Sequence, residues 1–120
     1  MSRYVDGFVL PLPQENLERY REIASQAGAL WKEHGALDYV ECVAEDVKPG
    51  EATSFPQSVK LEDGETVVFA WISYESREHR DEVNAKVMDD DRMKAMMDPA
   101  GDVADMKRMV YGGFEVIVDL

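Results

Sequence analysis

The segment ETVVFAWISY, residues 65–74, decides the fold. From Val67 to Ile72 it is apolar without a polar interruption. A strand with one wet face alternates apolar and polar side chains, whereas an unbroken run marks a strand buried on both faces. The elements on either side must therefore supply two coverings, one for each face.

Downstream, Ser76 is placed to cap a helix running to about Met88, with Glu78 near its positive end. Asp91 reads as the cap of a short third helix carrying Met93, Met96 and Met97, stopped by Asp98-Pro99 and Gly101. The last strand is VYGGFEVIVDL, residues 110–120. Upstream, Tyr4 to Leu10 reads as a strand closed by Pro11 and Pro13, with Pro13 suited to the first turn of a helix. In QENLERYREIASQAGALWKEHG, residues 14–35, Leu17, Tyr20, Ile23, Ala24, Ala27, Leu30, Trp31 and His34 recur on one helical face. Glu15 and Glu18 at its start, Lys32 and His34 at its end, and Gly35 beyond them agree with dipole and capping rules. Ala36 to Asp46 is strand-like, with Tyr39, Glu41 and Val43 on one side and Val40, Cys42 and Ala44 on the other. A long irregular connection, residues 48–64, holds room for a short helical turn.

The order β-α-β-β-α-β predicts an α+β, ferredoxin-like domain over residues 1–120, an antiparallel sheet with its helices on one face. Two helices cover one face only, yet residues 67–72 and the last strand supply apolar side chains to both. A bare second face would be a larger apolar patch than monomers tolerate. The sequence therefore predicts a homodimer, sheet facing sheet, forming an α/β barrel between two copies.

A net charge of −12, from 25 acidic against 13 basic residues, removes the basic stripe that nucleic-acid binding requires. No apolar run is long enough to span a bilayer, and the first residues lack the pattern of a signal peptide. Cys42 is the single cysteine, so no internal disulfide forms, and a reducing, cytoplasmic setting is expected. It reads as a small buried apolar residue.

The blocks YVDGFVLPLP, WKEHGALDYVECVAEDV, TSFPQSVKL, ETVVFAWISYESREHRDEVNAKVM and KRMVYGGFEVIVDL together resemble the YbaA-like family of bacterial proteins, a domain of unknown function. The resemblance runs over almost the whole chain. It implies the dimeric α/β-barrel superfamily, which also holds cofactor-free monooxygenases, haem-degrading monooxygenases and chlorite-dismutase-like proteins. Membership is a statement of fold, and function must come from a site. The family offers no agreed catalytic residues to carry over.

His79-Arg80-Asp81 followed by Asn84 echoes the catalytic loop of protein kinases. The chain lacks the Gly-rich loop and the Asp-Phe-Gly motif, and Lys86 stands where the kinase Asn belongs. The triplet is instead the capped first turn of a helix. His79 shares a helical face with Val83 and Val87 and is the leading general-base candidate, against the plainer role of a half-buried packing residue. His34 reads as a helix C-cap. Arg80 and Asn84, four apart, are candidates to orient a polar ligand, or form a solvated face where Arg80 pairs with an acid. Asp6 and Glu41 are strand carboxylates beside aromatic residues, hence candidate catalytic acids, or else members of salt bridges with Arg3, Arg108 or Lys60. Glu115 belongs to the same class. Tyr39 and Trp71 are candidate ligand-binding residues, with Tyr74 and Tyr111 as possible companions in an aromatic pocket or as plain packing. Six of the seven methionines, from Met88 to Met109, fill irregular space.

No metal spacing is present, Asp89-Asp90-Asp91 lacks the alternation of a calcium loop, and two histidines make a haem site a weak fit. No cofactor is expected. The functional expectation is a small-molecule-binding protein or cofactor-independent, monooxygenase-like enzyme using a pocket between helices and sheet. The alternative is a non-catalytic dimer whose polar residues only knit the interface.

Overall fold

The computed structural model describes residues 3–120. Strands β1 (Tyr4–Pro13), β2 (Asp38–Val43), β3 (Glu65–Tyr74) and β4 (Val110–Glu115) form one antiparallel sheet in the order β2-β3-β1-β4. Helices α1 (Leu17–Glu33), α3 (Arg77–Met88) and α4 (Asp91–Val103), with the single turn α2 (Phe55–Ser58), complete an α+β ferredoxin-like arrangement. Among the described residues, no helix is long and apolar enough to cross a membrane.

Pairing registers sort the side chains into two faces. Tyr4, Asp6, Phe8, Leu10 and Leu12 of β1 lie opposite Tyr74, Ile72, Ala70, Val68 and Thr66 of β3. Tyr39, Glu41 and Val43 continue this face onto β2. It carries the core: Leu30, Ala36, Ile72, Tyr74, Val83, Val87 and Met93 form one buried cluster, and Leu10, Leu12, Val68, Val103 and Ala104 a second. The other face presents Val5 and Val9, Val67, Phe69 and Trp71, Val40 and Cys42, and Val110 and Phe114. Among the described residues, no long helix covers it. Phe69 is 41 % and Phe114 63 % exposed there. The apolar run 67–72 thus points both ways, with one face packed under the long helices and the other covered only in part, near Val67 and the α2 turn.

Several local expectations hold and several do not. Ser76 caps α3, its hydroxyl accepting the His79 N–H at 3.0 Å. The expected apolar face of α1 points inward, and His34 is its C-cap. The first strand, however, does not stop at Leu10. The Gln14 N–H reaches the Gly64 carbonyl at 2.9 Å, so even-numbered residues of β1 bond to β3 and odd-numbered ones face β4. Strand β4 extends only as far as Val9. Pro11 and Pro13 are odd-numbered and lack an N–H where no strand could receive one, so the ladder with β3 continues through them. Asp90, rather than Asp91, caps α4 by accepting the Arg92 N–H at 2.8 Å. That helix also runs through Pro99 and Gly101. Its two ends are anchored in different clusters, Met93 in the first and Val103 in the second, and packing outweighs the lost hydrogen bond.

Helix α1 lies close over β2. A Cβ placed on Gly28 would stand 2.6 Å from Cδ1 of Tyr39. Replacing Gly28 with Ala is therefore expected to destabilise the protein by about 1–3 kcal/mol through overpacking, despite Ala's better helix propensity. Chemical denaturation of the G28A variant measures this, and an unchanged or raised midpoint would contradict the packing.

Candidate functional site

Two polar constellations sit on the helix-covered face. The first lies between α1 and the edge strand β2, in a groove of about 440 Å³ whose walls include Leu17, Ala24, Gly28, Val43 and Val68. Glu41 stands in it with its carboxylate held at both oxygens. Tyr20 of α1 donates a hydrogen bond to Oε1, and Tyr39 donates to Oε2 at 2.6 Å. Burial, then the nearby Glu41 carboxylate, pushes both phenols well above the ordinary tyrosine range. Both phenols stay protonated as donors across the physiological range. Arg21 and Lys32 line the same groove, where cationic side chains have solvent access.

The second constellation joins β1 to α3. Asp6 is 7 % exposed. The Tyr74 hydroxyl donates to its Oδ2 at 3.2 Å, and Arg80 Nε lies 3.8 Å from Oδ1. Arg80 also covers the Tyr4 ring, 4.9 Å from its centroid, and donates to the Tyr4 hydroxyl at 3.1 Å. Gly113 makes room for this pair, since a Cβ there would collide with the Tyr4 hydroxyl and stand 2.7 Å from Arg80 Nη2. Arg80 Nε and Asn84 Oδ1 are both buried with no hydrogen-bond partner among the described residues.

The structure therefore brings Asp6 and Arg80 together and, separately, Tyr39 and Glu41, while Asn84 lies one turn beyond Arg80 on α3 with no contact to Asp6 shown. It does not bring these two sets into one pocket. Glu41 has phenols as partners rather than the cations expected from the sequence, and Asp6 has Arg80 rather than Arg3, Arg108 or Lys60. Arg108 is taken up by Glu65, at 2.7 Å, and by Asp105. His79 packs its ring edge-to-face on Tyr74 at 5.9 Å, and its Nδ1 accepts the Glu75 N–H at 3.0 Å. That nitrogen is occupied by the helix start, and His79 does not line the groove. Trp71 lies on the opposite, bare face in a row with Phe69 at 6.0 Å and Phe55 beyond it. It shares no pocket with Tyr39. Tyr74 is fully buried, Tyr111 is largely exposed and stacked on Phe8, and Glu115 is exposed. Cys42 is also exposed, because the face it occupies has no cover within the described chain. Tyr20 is a site residue that the sequence does not single out. Its one legible signal is membership of the inward face of α1.

A four-stranded antiparallel sheet in the order β2-β3-β1-β4 with its long helices on one side is the ferredoxin-like fold, and solved structures agree. The chain superposes over its full length on all of a dimeric ferredoxin-like protein from an uncultured marine organism, with TM-score 0.69 and 9 % identity. It also superposes on a mutant of SnoaB, a cofactor-independent oxygenase from Streptomyces nogalater, with TM-score 0.63, 8 % identity and coverage of 100 % of this chain and 98 % of that one. At such identities the likeness is one of fold. Within that class, the chain belongs to the protein family of unknown function DUF1428, whose model matches residues 3–103. The uncharacterised protein YbaA of Escherichia coli K12 is 50 % identical over 117 residues, 98 % of each chain. The resemblance read from the sequence blocks is borne out.

Burial raises the Asp6 carboxyl above its ordinary 3.8, against the opposing pull of Arg80 and the Tyr74 hydrogen bond. A raised carboxyl holds its proton more tightly in the folded than in the unfolded chain, so its contribution to stability declines as pH rises through that window. Removing Arg80 extends the decline. Arg80→Met is expected to cost about 3 kcal/mol at pH 7, where it strands an ionised carboxylate, and much less in acid, where a protonated Asp6 needs no cation. Urea unfolding at the two pH values checks this, and a cost independent of pH would contradict the assignment.

Proposed function

We propose that the protein is a cytoplasmic homodimer that binds a small, largely apolar organic molecule in the α1–β2 groove, with Glu41 as its polar contact. The observation that carries the reading is a carboxylate at the side of an apolar groove, fixed by two phenols that stay protonated. An ionised carboxylate offers about four acceptor positions, and Tyr20 and Tyr39 use two. The remaining lone pairs suit a hydroxyl or amine donor on a ligand whose body packs against Ala24, Gly28, Val43 and Val68. In a reaction, Glu41 is the group positioned to accept a proton from that donor, held in place for the task. The fold shared with a cofactor-independent oxygenase supports such chemistry by analogy of architecture.

Phenol, catechol and toluene test the groove by amide chemical-shift mapping. The two hydroxylated probes are expected to shift residues 20–29 and 39–43, with toluene weaker. Glu41→Gln should weaken catechol binding by about tenfold, near 1.4 kcal/mol, while leaving toluene unchanged. Shifts elsewhere, or equal losses for both probes, would overturn the reading.

The dimer rests on the bare face. Val5, Val9, Val40, Phe69, Trp71 and Phe114 make it a continuous apolar surface, and the structural relatives described as dimeric share the architecture. Sedimentation equilibrium is expected to return the mass of two chains. Phe69→Asp should raise the dissociation constant by about a hundredfold, the effect of a central interface residue. A wild-type monomer at micromolar concentration sinks this part of the reading.

A further inference from the structure

The groove between α1 and β2 carries a charge pattern opposite to that of the whole chain. The chain has 25 acidic and 13 basic residues. The charged side chains lining the groove are Arg21, Lys32 and Glu41, two cations to one acid. Glu18, Glu22 and Glu33, the acids of α1, are exposed and do not line it. A surface this acidic repels anions almost everywhere, so a cationic margin on a groove favours them locally.

The helical spacing sets which cation stands at the level of Glu41. Arg21, Ser25, Gly28 and Lys32 follow one another at intervals of four, three and four and form one ridge of α1. At Gly28 that ridge meets β2, against Tyr39. Glu41 lies two residues further along the strand and accepts the Tyr20 hydroxyl, so it stands on the N-terminal side of the Gly28 contact. Arg21 is on that side as well, next to Tyr20 in the chain, whereas Lys32 is one turn past Gly28 in the other direction. The Lys32 ammonium also donates to the Leu37 carbonyl at 2.6 Å. Among the described residues, the one ion pair of Arg21 is with Glu18, at 3.5 Å between two well-exposed side chains. Such a contact holds a side chain only weakly. Arg21 and Glu41 thus share one end of the groove without pairing with each other.

We infer that the ligand of the α1–β2 groove is a hydroxylated organic acid, its hydroxyl donating to Glu41 and its carboxylate held by the Arg21 guanidinium. This rests on the groove reading above and narrows it from apolar molecules in general to hydroxy acids. A guanidinium presents two parallel N–H donors that match a carboxylate, and Arg21 gives up only its exposed contact with Glu18 to do so. The two residues select in complementary ways. A neutral ligand leaves the Arg21 donors unused, and an acid without a hydroxyl brings Glu41 no donor.

Amide chemical-shift titrations at pH 7 with 3,4-dihydroxybenzoate, its methyl ester and benzoate test this. The ester keeps nearly the shape of the acid without its charge. The acid is expected to shift residues 20–29 and 39–43 and to bind about tenfold more tightly than the ester, with benzoate weaker than the acid. Arg21→Met keeps the apolar stem and should bring the acid-to-ester ratio close to unity, while Arg21→Lys should retain a several-fold preference. Glu41→Gln should weaken both compounds and preserve their ratio. An ester that maps to the groove and binds as tightly as the acid overturns this inference and spares the groove reading. So does a preference that persists in R21M and disappears in K32M. Benzoate as tight as the acid, or no shift in the groove with any of the three compounds, overturns both.

Discussion

A sheet has two faces, and this chain's helices cover one. The double-sided apolar run of β3 creates the constraint, because Val68, Ala70 and Ile72 point under the helices while Val67, Phe69 and Trp71 point away from them. Everything else is arranged around that asymmetry. The packed face holds both core clusters and both polar constellations. The bare face holds the aromatic row, Cys42 and the apolar positions of β4. Hydrophobic burial is roughly proportional to area removed from water, so the uncovered face is a sizeable store of free energy that the isolated chain leaves unused.

The two carboxylates on the packed face meet the cost of desolvation in different ways. Asp6 is placed near a cation, but the contact is loose, with Arg80 Nε 3.8 Å away and no hydrogen bond between them. Arg80 divides itself among Asp6, the Tyr4 ring and Asp81. That sharing belongs to a structural junction tying α3 to the strands. Glu41 takes neutral donors instead. Two phenols satisfy one lone pair on each oxygen and leave the others free, so Glu41 keeps spare acceptor capacity. That distinction, more than depth of burial, makes Glu41 the better candidate for meeting a ligand.

The sequence makes the fold legible wherever the decisive signal is local. The Ser76 cap, the inward face of α1 and the unbroken run of β3 each depend on residues a few positions apart, and each is realised. The errors arise where a distant element decides. Pro11 and Pro13 read as a strand end, because nothing nearby shows that β4 stops short of them. Pro99 reads as a helix stop, because the anchors of α4 lie in two separate clusters. Cys42 reads as buried, and its exposure reflects the open face rather than its own chemistry. Among site residues, Asp6 and Glu41 are identifiable as carboxylates in strands, but their partners stand 74 and 21 positions away for Arg80 and Tyr20. His79 draws attention through its residue type, while its Nδ1 accepts the N–H of Glu75, four residues back.

The position of the groove follows from the same constraint. Of the strands on the packed face, β3 and β1 are central and lie beneath the core clusters, with no room for a ligand. At the β4 edge, Tyr4 and Arg80 fill the space above Gly113. At the β2 edge, α1 approaches closely at Gly28, against Tyr39, and the groove opens along the helix and strand beside that contact. An edge strand under a helix that touches it at one point leaves a groove by geometry, and the polar residue it exposes is Glu41. With the core and the β4 edge filled, the β2 edge is where the packed face stays open, and the groove lies there.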